Sequence, residues 1–316
     1  MPIVIDPLVA TDAGILGIEA RHQWNDGVVM GDEGASPRIK IEDIGGLRSL
    51  AEAEDNRDAA MGRRGERARN SFRRGKTLAY ELLLQARSLA ELRRLVTDLA
   101  GTFDSLAEGR MLVTPHPDYA AGFSRFFRGR ALSLDEGPEI LNPNAAWQFQ
   151  QPFALGIRMA DARYYDPQEV IDATGAIALT GGLAPPLTPP FTLPDTGEGA
   201  GSVTVENVGS AATDPVIDIY GPVLNPVLTN LTVERTLAFQ GLELDAPTFL
   251  RIDFFARTVK LLGTSDYRSK IDWDLSDWWD PGVDGLAPGD NLIQLRGDSI
   301  ADPAKAQITF NPAYTA

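Results

Sequence analysis

Between residues 181 and 201 the chain reads Gly-Gly-Leu-Ala-Pro-Pro-Leu-Thr-Pro-Pro, then Phe-Thr-Leu-Pro-Asp-Thr-Gly-Glu-Gly-Ala-Gly. Proline fixes φ and has no amide to donate, so neither a helix nor a central strand runs through Pro185-Pro186 and Pro189-Pro190. Paired prolines favour extended polyproline geometry, which makes a semi-rigid connector. The stretch predicts two domains, residues 1–180 and 201–316, strapped together by residues 181–200. A length of 316 residues suits two domains of ordinary size, and 43% apolar residues are enough for two cores.

Beyond the connector, strand signals come at short intervals. Val203 and Val205 alternate with polar neighbours, and Val216–Tyr220, Thr236–Phe239, Phe249–Phe254, Thr258–Leu262, Leu292–Arg296 and Ala306–Phe310 follow. Asn, Gly, Pro and Asp fill the breaks. Short strands with such turns predict a β-sandwich or barrel. The first domain is mixed. Ile15–Arg21, Arg38–Ile41, Thr77–Ala86, Arg110–Thr114 and Gln148–Met159 read as strands. Ser88-Leu89-Ala90-Glu91 is a capping box, and Leu89, Leu92, Leu95, Val96, Leu99 and Phe103 then share one helical face, with Gly109 as the terminator. The fold class is therefore mainly β: an α+β N-terminal domain with one amphipathic helix, then a β-sandwich.

The segment Arg48–Arg74 fits neither pattern, and reads as a short helix or an exposed arm that orders on contact. It carries a basic run: Arg57, Arg63, Arg64, Arg67, Arg69, Arg73, Arg74 and Lys76, opposed by Asp58 and Glu66. With Phe72 its only aromatic, the run has no base-stacking platform, which argues for a subunit-facing arm over a nucleic-acid site. Its natural counterpart is acidic. Residues 166–316 hold 8 Lys+Arg against 21 Asp+Glu, a net of −13, whereas residues 1–165 hold 21 against 23, a net of −2. Phosphate is repelled by the acidic half. That charge serves solubility or the docking of opposite charges between neighbouring subunits.

Catalytic chemistry is sparse. The chain has no cysteine, which removes disulfides and thiolate sites and suits folding in a reducing cytosol. Its two histidines, His22 and His116, support no triad; His22 is placed beside a strand end and His116 in a turn between Pro115 and Pro117. Gly75-Lys76-Thr77 lacks the upstream glycine of a phosphate loop, since Asn70 stands there, and a strand follows instead of a helix. Asp272, Asp274, Asp277, Asp280 and Asp284 form an acidic loop, but Trp278, Trp279 and Pro281 break an EF-hand pattern. Trp273, Trp278 and Trp279 suit either core and interface packing or a sugar-stacking platform. The N-terminus, with Asp6 and Asp12 among its apolar residues, does not read as a secretory signal, and no apolar run reaches the ~18 residues of a membrane helix. No catalytic, cofactor or metal residues are assigned.

Several turns carry a resemblance. They are Asp161-Ala162-Arg163-Tyr164-Tyr165, Asn207-Val208-Gly209, Gly221-Pro222-Val223-Leu224-Asn225-Pro226, Asp253 followed by Arg257-Thr258-Val259, and Trp278 or Trp279 ahead of Pro288-Gly289-Asp290-Asn291. In this order the chain resembles the distal tail (Dit) proteins of long-tailed bacteriophages, of siphovirus type. Ala162 replaces the proline of the usual Asp-Pro pair, and Asp280–Gly285 lengthens one loop. The resemblance implies a belt domain that builds a ring, usually hexameric, at the tip of the tail tube, and a galectin-like sandwich that points outward. The implied partners are other copies of the chain, the tail tube protein, and the tail-tip hub with its tail lysin or receptor-binding parts. It implies a virion location at the tail tip after assembly in the host cytoplasm, with no enzyme activity, no cofactor, no nucleic acid and no membrane insertion. Arg63, Arg64, Arg67, Arg69, Arg73 and Arg74 are then the candidate interface, and Trp278 and Trp279 a candidate partner or sugar contact. The alternative function is a carbohydrate-binding module for host cell-wall glycans.

Overall fold

The computed structural model describes residues 21–46 except 26, 33–34 and 36; the backbone of 53–54, 57–59, 66–68 and 72–73; and 75–104, 107–114, 124–174, 201–279, 284–300 and 303–315. The connector and His116 lie outside the described residues. The chain divides into two compact units, residues 1–167 with 314–316, and residues 168–313.

The strands of unit 1 are β1 (Arg21–Trp24), β2 (Val29–Met30), β3 (Arg38–Gly45), β4 (Ala53–Glu54), β5 (Arg57–Ala59), β6 (Glu66–Ala68), β7 (Phe72–Arg73), β8 (Lys76–Ala86), β9 (Gly109–Thr114), β10 (Arg125–Glu136), β11 (Ile140–Leu141), β12 (Phe149–Met159) and β13 (Arg163–Tyr165). Its main sheet runs β2-β1-β9-β10-β12-β8-β3. The Gly31 amide donates to the Ile39 carbonyl at 2.8 Å, so the two ends of that order approach each other and the sheet curls towards a barrel. Alternation gives the sheet its apolar inner face. In β8 Leu78, Tyr80, Leu82 and Leu84 face the core and Thr77, Ala79 and Glu81 face out.

Helix α1 (Leu89–Phe103) closes the apolar face with Leu92, Leu99 and Phe103, the last against Trp24 at 5.2 Å between ring centroids. The Glu91 amide donates to Ser88 Oγ at 3.3 Å, and the Glu91 carboxylate accepts from the Arg87 amide at 3.1 Å. The capping box is present, with its return bond one residue earlier than expected. Ser88→Ala is expected to cost about 1 kcal/mol, read as a lower denaturation midpoint of unit 1 by hydrogen exchange of β8 and α1. Gly109 does not terminate the helix, which stops at Phe103 with Asp104 as its C-cap. Instead Gly109 opens β9, where a Cβ would lie 2.2 Å from the Trp24 ring.

Unit 2 begins upstream of the proline-rich stretch. Strand β14 (Val170–Ala173) already pairs with β26 (Lys305–Phe310), with Val170 opposite Phe310. The second body therefore starts at residue 168, whereas the proline-rich stretch predicts a start at residue 201. Its remaining strands are β15 (Ser202–Asn207), β16 (Val216–Tyr220), β17 (Val223–Leu224), β18 (Val227–Asn230), β19 (Arg235–Ala238), β20 (Glu243–Leu244), β21 (Phe249–Asp253), β22 (Thr258–Leu261), β23 (Ser265–Asp266), β24 (Gly289–Arg296) and β25 (Ser299–Ile300). A six-stranded sheet, β14-β26-β16-β21-β22-β23, faces a four-stranded one, β15-β24-β18-β19. Ile217, Ile219, Leu250, Ile252 and Ile308 from the first interdigitate with Val205, Leu228, Leu237, Ile293 and Leu295 from the second. This is a β-sandwich core. The last strand, β27 (Ala313–Thr315), pairs with β13 and brings Tyr314 into the core of unit 1.

Candidate functional site

The described parts of the basic segment are strand. Arg57–Ala59 pairs with Glu66–Ala68, and Ala53–Glu54 with Phe72–Arg73, both antiparallel. They lie in sequence between β3 and β8, which pair with Gly45 opposite Ala79. Ala53 then faces Arg73, and Ala59 faces Glu66. Of the predicted interface residues, Arg67 lies on β6 opposite Asp58 and Arg73 on β7 opposite Ala53. Arg63, Arg64, Arg69 and Arg74 lie outside the described residues. Alanine, glutamate and arginine favour a helix by propensity. In the described stretches strand pairing overrides that preference.

A second arginine group was not singled out in the sequence. Arg110, Arg128, Arg130, Arg158 and Arg163 come from β9, β10, β12 and β13 and share the outward side of the unit 1 sheet. Arg110 stands directly opposite Arg128, and Arg130 directly opposite Arg158. The register that buries Phe127, Ala131 and Ile157 forces these charges onto one face.

Beneath that sheet lies a polar cluster in the unit 1 core. His22, with no exposed surface, shares a 3.1 Å hydrogen bond between Nδ1 and Tyr80 Oη. It is the second residue of β1. Lys76 is 6% exposed and holds Nζ 5.0 Å from the Tyr164 ring centroid. Burial lowers the Lys76 pKa to about 8. Burial likewise raises the Tyr164 hydroxyl above its ordinary range, and raises Tyr80 further with help from Tyr164. Gly75-Lys76-Thr77 therefore opens a strand whose lysine is packed inward.

Polar side chains fix four of the turns singled out in the sequence. Asp161 accepts from Arg163 Nε and Nη2, both at 2.8 Å, and from the Tyr165 hydroxyl. Asn207 donates to the Ala211 and Leu286 carbonyls at 2.9 Å and accepts from the Gly209 amide at 3.0 Å. A Cβ on Gly209 would lie 2.0 Å from the Ala313 carbonyl oxygen, so only glycine fits. Asn225 donates to Asp298 at 2.7 Å and accepts from the Leu242 amide at 3.2 Å. Buried Asn291 bonds the Ala287 amide and carbonyl at 2.8 and 2.7 Å, closing the turn whose Gly289 has φ +87°.

The tryptophans divide. Trp279 has no exposed surface and stacks on Phe254 at 4.3 Å and 13°. Its burial in the core removes it from the candidate sugar or partner contact. Trp278 is half-buried beside Phe254, whereas Trp273 is 52% exposed. The Arg268 guanidinium lies 6.0 Å from the Trp273 ring and 5.8 Å from that of Trp278. In the acidic loop Arg235 reaches Asp284 at 3.2 Å and Asp277 at 3.9 Å. Among the described residues no three His, Asp or Glu side chains gather to hold a metal ion, and no helix is long and apolar enough to cross a membrane.

No family model matches the chain, and no curated protein matches it in sequence. Solved structures do match. The Dit protein of phage SPP1, described as a paradigm of the hub adsorption apparatus in phages that infect Gram-positive hosts, aligns over 93% of this chain and 98% of its own, with a TM-score of 0.56 at 15% identity. The chain has a Dit-like fold. Two baseplate structures of phage P2 in the activated conformation, with calcium and with strontium, align more loosely. Each covers 92% of this chain and 97% of its own at 10% identity, with TM-scores of 0.49 and 0.48.

Proposed function

We propose that the chain is a structural virion protein that forms a ring at the distal end of a phage tail tube and joins the tube to the tail-tip hub. One observation carries this reading: the likeness to SPP1 Dit extends through both units, over 93% of this chain and 98% of that one. A shared sandwich alone would say little, since sandwiches host many functions. Unit 1 acts as the belt and unit 2 as the outward domain. The unlike charges of the two halves suit a heterologous interface, in which one patch meets a different patch and rotation closes the ring. The chain performs no reaction. The buried His22 is held against Tyr80, and Asp161, Asn207, Asn225 and Asn291 are engaged in bonds that fix their turns.

Negative-stain images of the purified full-length chain, with and without tail tube protein, test the proposal. Class averages are expected to show a closed ring, six-fold in end view, and an antibody-labelled virion is expected to carry the label at the tail tip. Monomers alone and in the presence of tube protein, with label elsewhere on the particle, would overturn it.

A further inference from the structure

Unit 1 exposes its large apolar side chains along one edge. Among its described residues they are Leu132, 55% exposed, and Ile140 and Leu141, 45% and 62% exposed. Strand β9 covers β10 only as far as Gly129. Beyond that point Leu132 sits in the irregularity between Ala131 and Ser133. Strand β11 pairs with β12 alone among the described strands, Ile140 opposite Gln150 and Leu141 opposite Phe149. An open apolar edge in a folded chain is a template for association.

The same unit carries a groove of about 580 Å³ between α1 and the turn joining β1 to β2. Val28, Val29, Ile39 and Leu95 give it apolar walls, and Asp98 and Gly101 of α1 border it. The two hydroxyls in its lining, Thr97 and Thr102, already donate to the Arg93 and Asp98 carbonyls at 2.9 and 2.7 Å. Gly101 is the informative residue. Glycine weakens a helix interior relative to alanine, and Gly101 has no left-handed φ to justify it. A Cβ there would meet no atom within 4 Å, so no contact inside the chain calls for glycine. Bare backbone beside an apolar groove suits the close approach of a second chain.

Edge and groove lie on opposite flanks of α1. Arg93 reaches Glu139, the neighbour of Ile140, at 4.0 Å, whereas Asp98 borders the groove. Five residues at roughly 3.6 per turn set Arg93 and Asp98 about 140° apart around the helix axis. Two unlike patches on different sides of one body are what a head-to-tail ring requires. The patches also match in chemistry: two adjacent aliphatic side chains on one, apolar walls without an uncommitted hydroxyl on the other.

We infer that Ile140 and Leu141 on β11 of one copy seat in the groove between α1 and the β1–β2 turn of the next copy. The inference rests on the ring proposed above and names its junction. Both surfaces belong to unit 1, the belt of that reading, and the sandwich takes no part.

Two variants of the full-length chain test it: Leu141→Asp on the edge and Gly101→Leu in the groove. Sedimentation and negative-stain imaging compare them with the parent, with and without tail tube protein. Each variant alone is expected to lose closed rings and to self-associate more than about ten-fold more weakly. Hydrogen exchange of β8 and β12 is expected to stay as slow as in the parent, and exchange of α1 to slow further in Gly101→Leu, because leucine favours a helix. Mixed one to one, the two variants are expected to pair and stop. The intact edge of the Gly101→Leu copy fits the intact groove of the Leu141→Asp copy, and the remaining ends are blocked. Should Leu141→Asp unfold, Ile140→Ser/Leu141→Ser carries the same expectation.

Variants that close rings as readily as the parent would overturn the inference; the ring would stand and only this junction would fall. A mixture of folded variants that stays monomeric would overturn it as well. Variants that keep their rings but no longer bind tube protein would assign the surface to the tube and refute it. A parent that forms no ring with or without tube protein removes the ring and the junction together.

Discussion

Trp279→Ala is expected to destabilise the sandwich by about 3–5 kcal/mol, the range for truncating a buried aromatic. Trp279 has no exposed surface and stacks face to face on Phe254, itself fully buried. Removing the indole leaves a void between the two sheets, and rigid strands on either side collapse into it poorly. Trp273→Ala, at a side chain 52% exposed, should change stability by less than about 0.5 kcal/mol. The two units can unfold separately, so a bulk signal would mix them. Hydrogen exchange of β16 and β21 in denaturant isolates the sandwich, with β8 and β12 as the internal reference. A Trp279 variant less than about 1 kcal/mol weaker than the parent would mean that the stacking is not where the core gets its strength. The same pair of variants bears on the glycan alternative. A sugar platform would now centre on Trp273, so glycan binding lost in a folded Trp273→Ala chain is the result that would revive it.

The sandwich was legible because its signals are local. Period-two alternation at Val203 and Val205 and at Leu292–Arg296, punctuated by Asn and Pro-Gly turns, predicts strands at the positions where β15 and β24 lie. Helix α1 was equally legible, since Ser88 and Glu91 mark its start and its apolar face is continuous. Strand β10 was not. Its inward positions include Gly129 and Ala131, small residues that give no hydrophobic alternation, while arginines occupy the outward ones. Gly129 is small because a Cβ there would lie 2.8 Å from the Ile157 side chain. This explains why the second arginine group escaped notice: its members are scattered through the sequence, and only the register of β9, β10 and β12 unites them. Strand β14 was missed for a different reason. It sits before the proline-rich stretch, and its partner β26 lies more than 130 residues further on, a pairing no local pattern announces. The position of His22 near a strand end is legible, but its burial is not: the alternation that carries Trp24 inward carries His22 with it.

The buried lysine gives unit 1 an alkaline signature that can be predicted with its sign. Unfolded, Lys76 titrates near its ordinary 10.5; folded, burial brings it to about 8. Between these values the unfolded chain binds the extra proton, so stability rises with pH across the window from 8 to 10.5 and the full penalty applies below 8. Taken one for one, that penalty is about 3 kcal/mol; discounted for the solvent screening of an incompletely buried ammonium it is about 1–2 kcal/mol. Tyr80 and Tyr164 act in the opposite sense above about pH 10. Their hydroxyls stay protonated in the fold while the unfolded chain ionises, so stability falls there. The parent chain should therefore show a rise from about pH 8 to 10 and then a decline. Lys76→Met keeps the alkyl stem over the Tyr164 ring and discards the charge. It should stabilise unit 1 by about 1–2 kcal/mol at pH 7 and erase the rise, leaving only the decline above about pH 10. Denaturation followed by exchange of β8 and β12 at pH 7, 8, 9 and 10 measures both effects. A variant less stable than the parent at pH 7 would show that the ammonium, held against the Tyr164 ring, contributes more by its cation–π contact than it loses by burial.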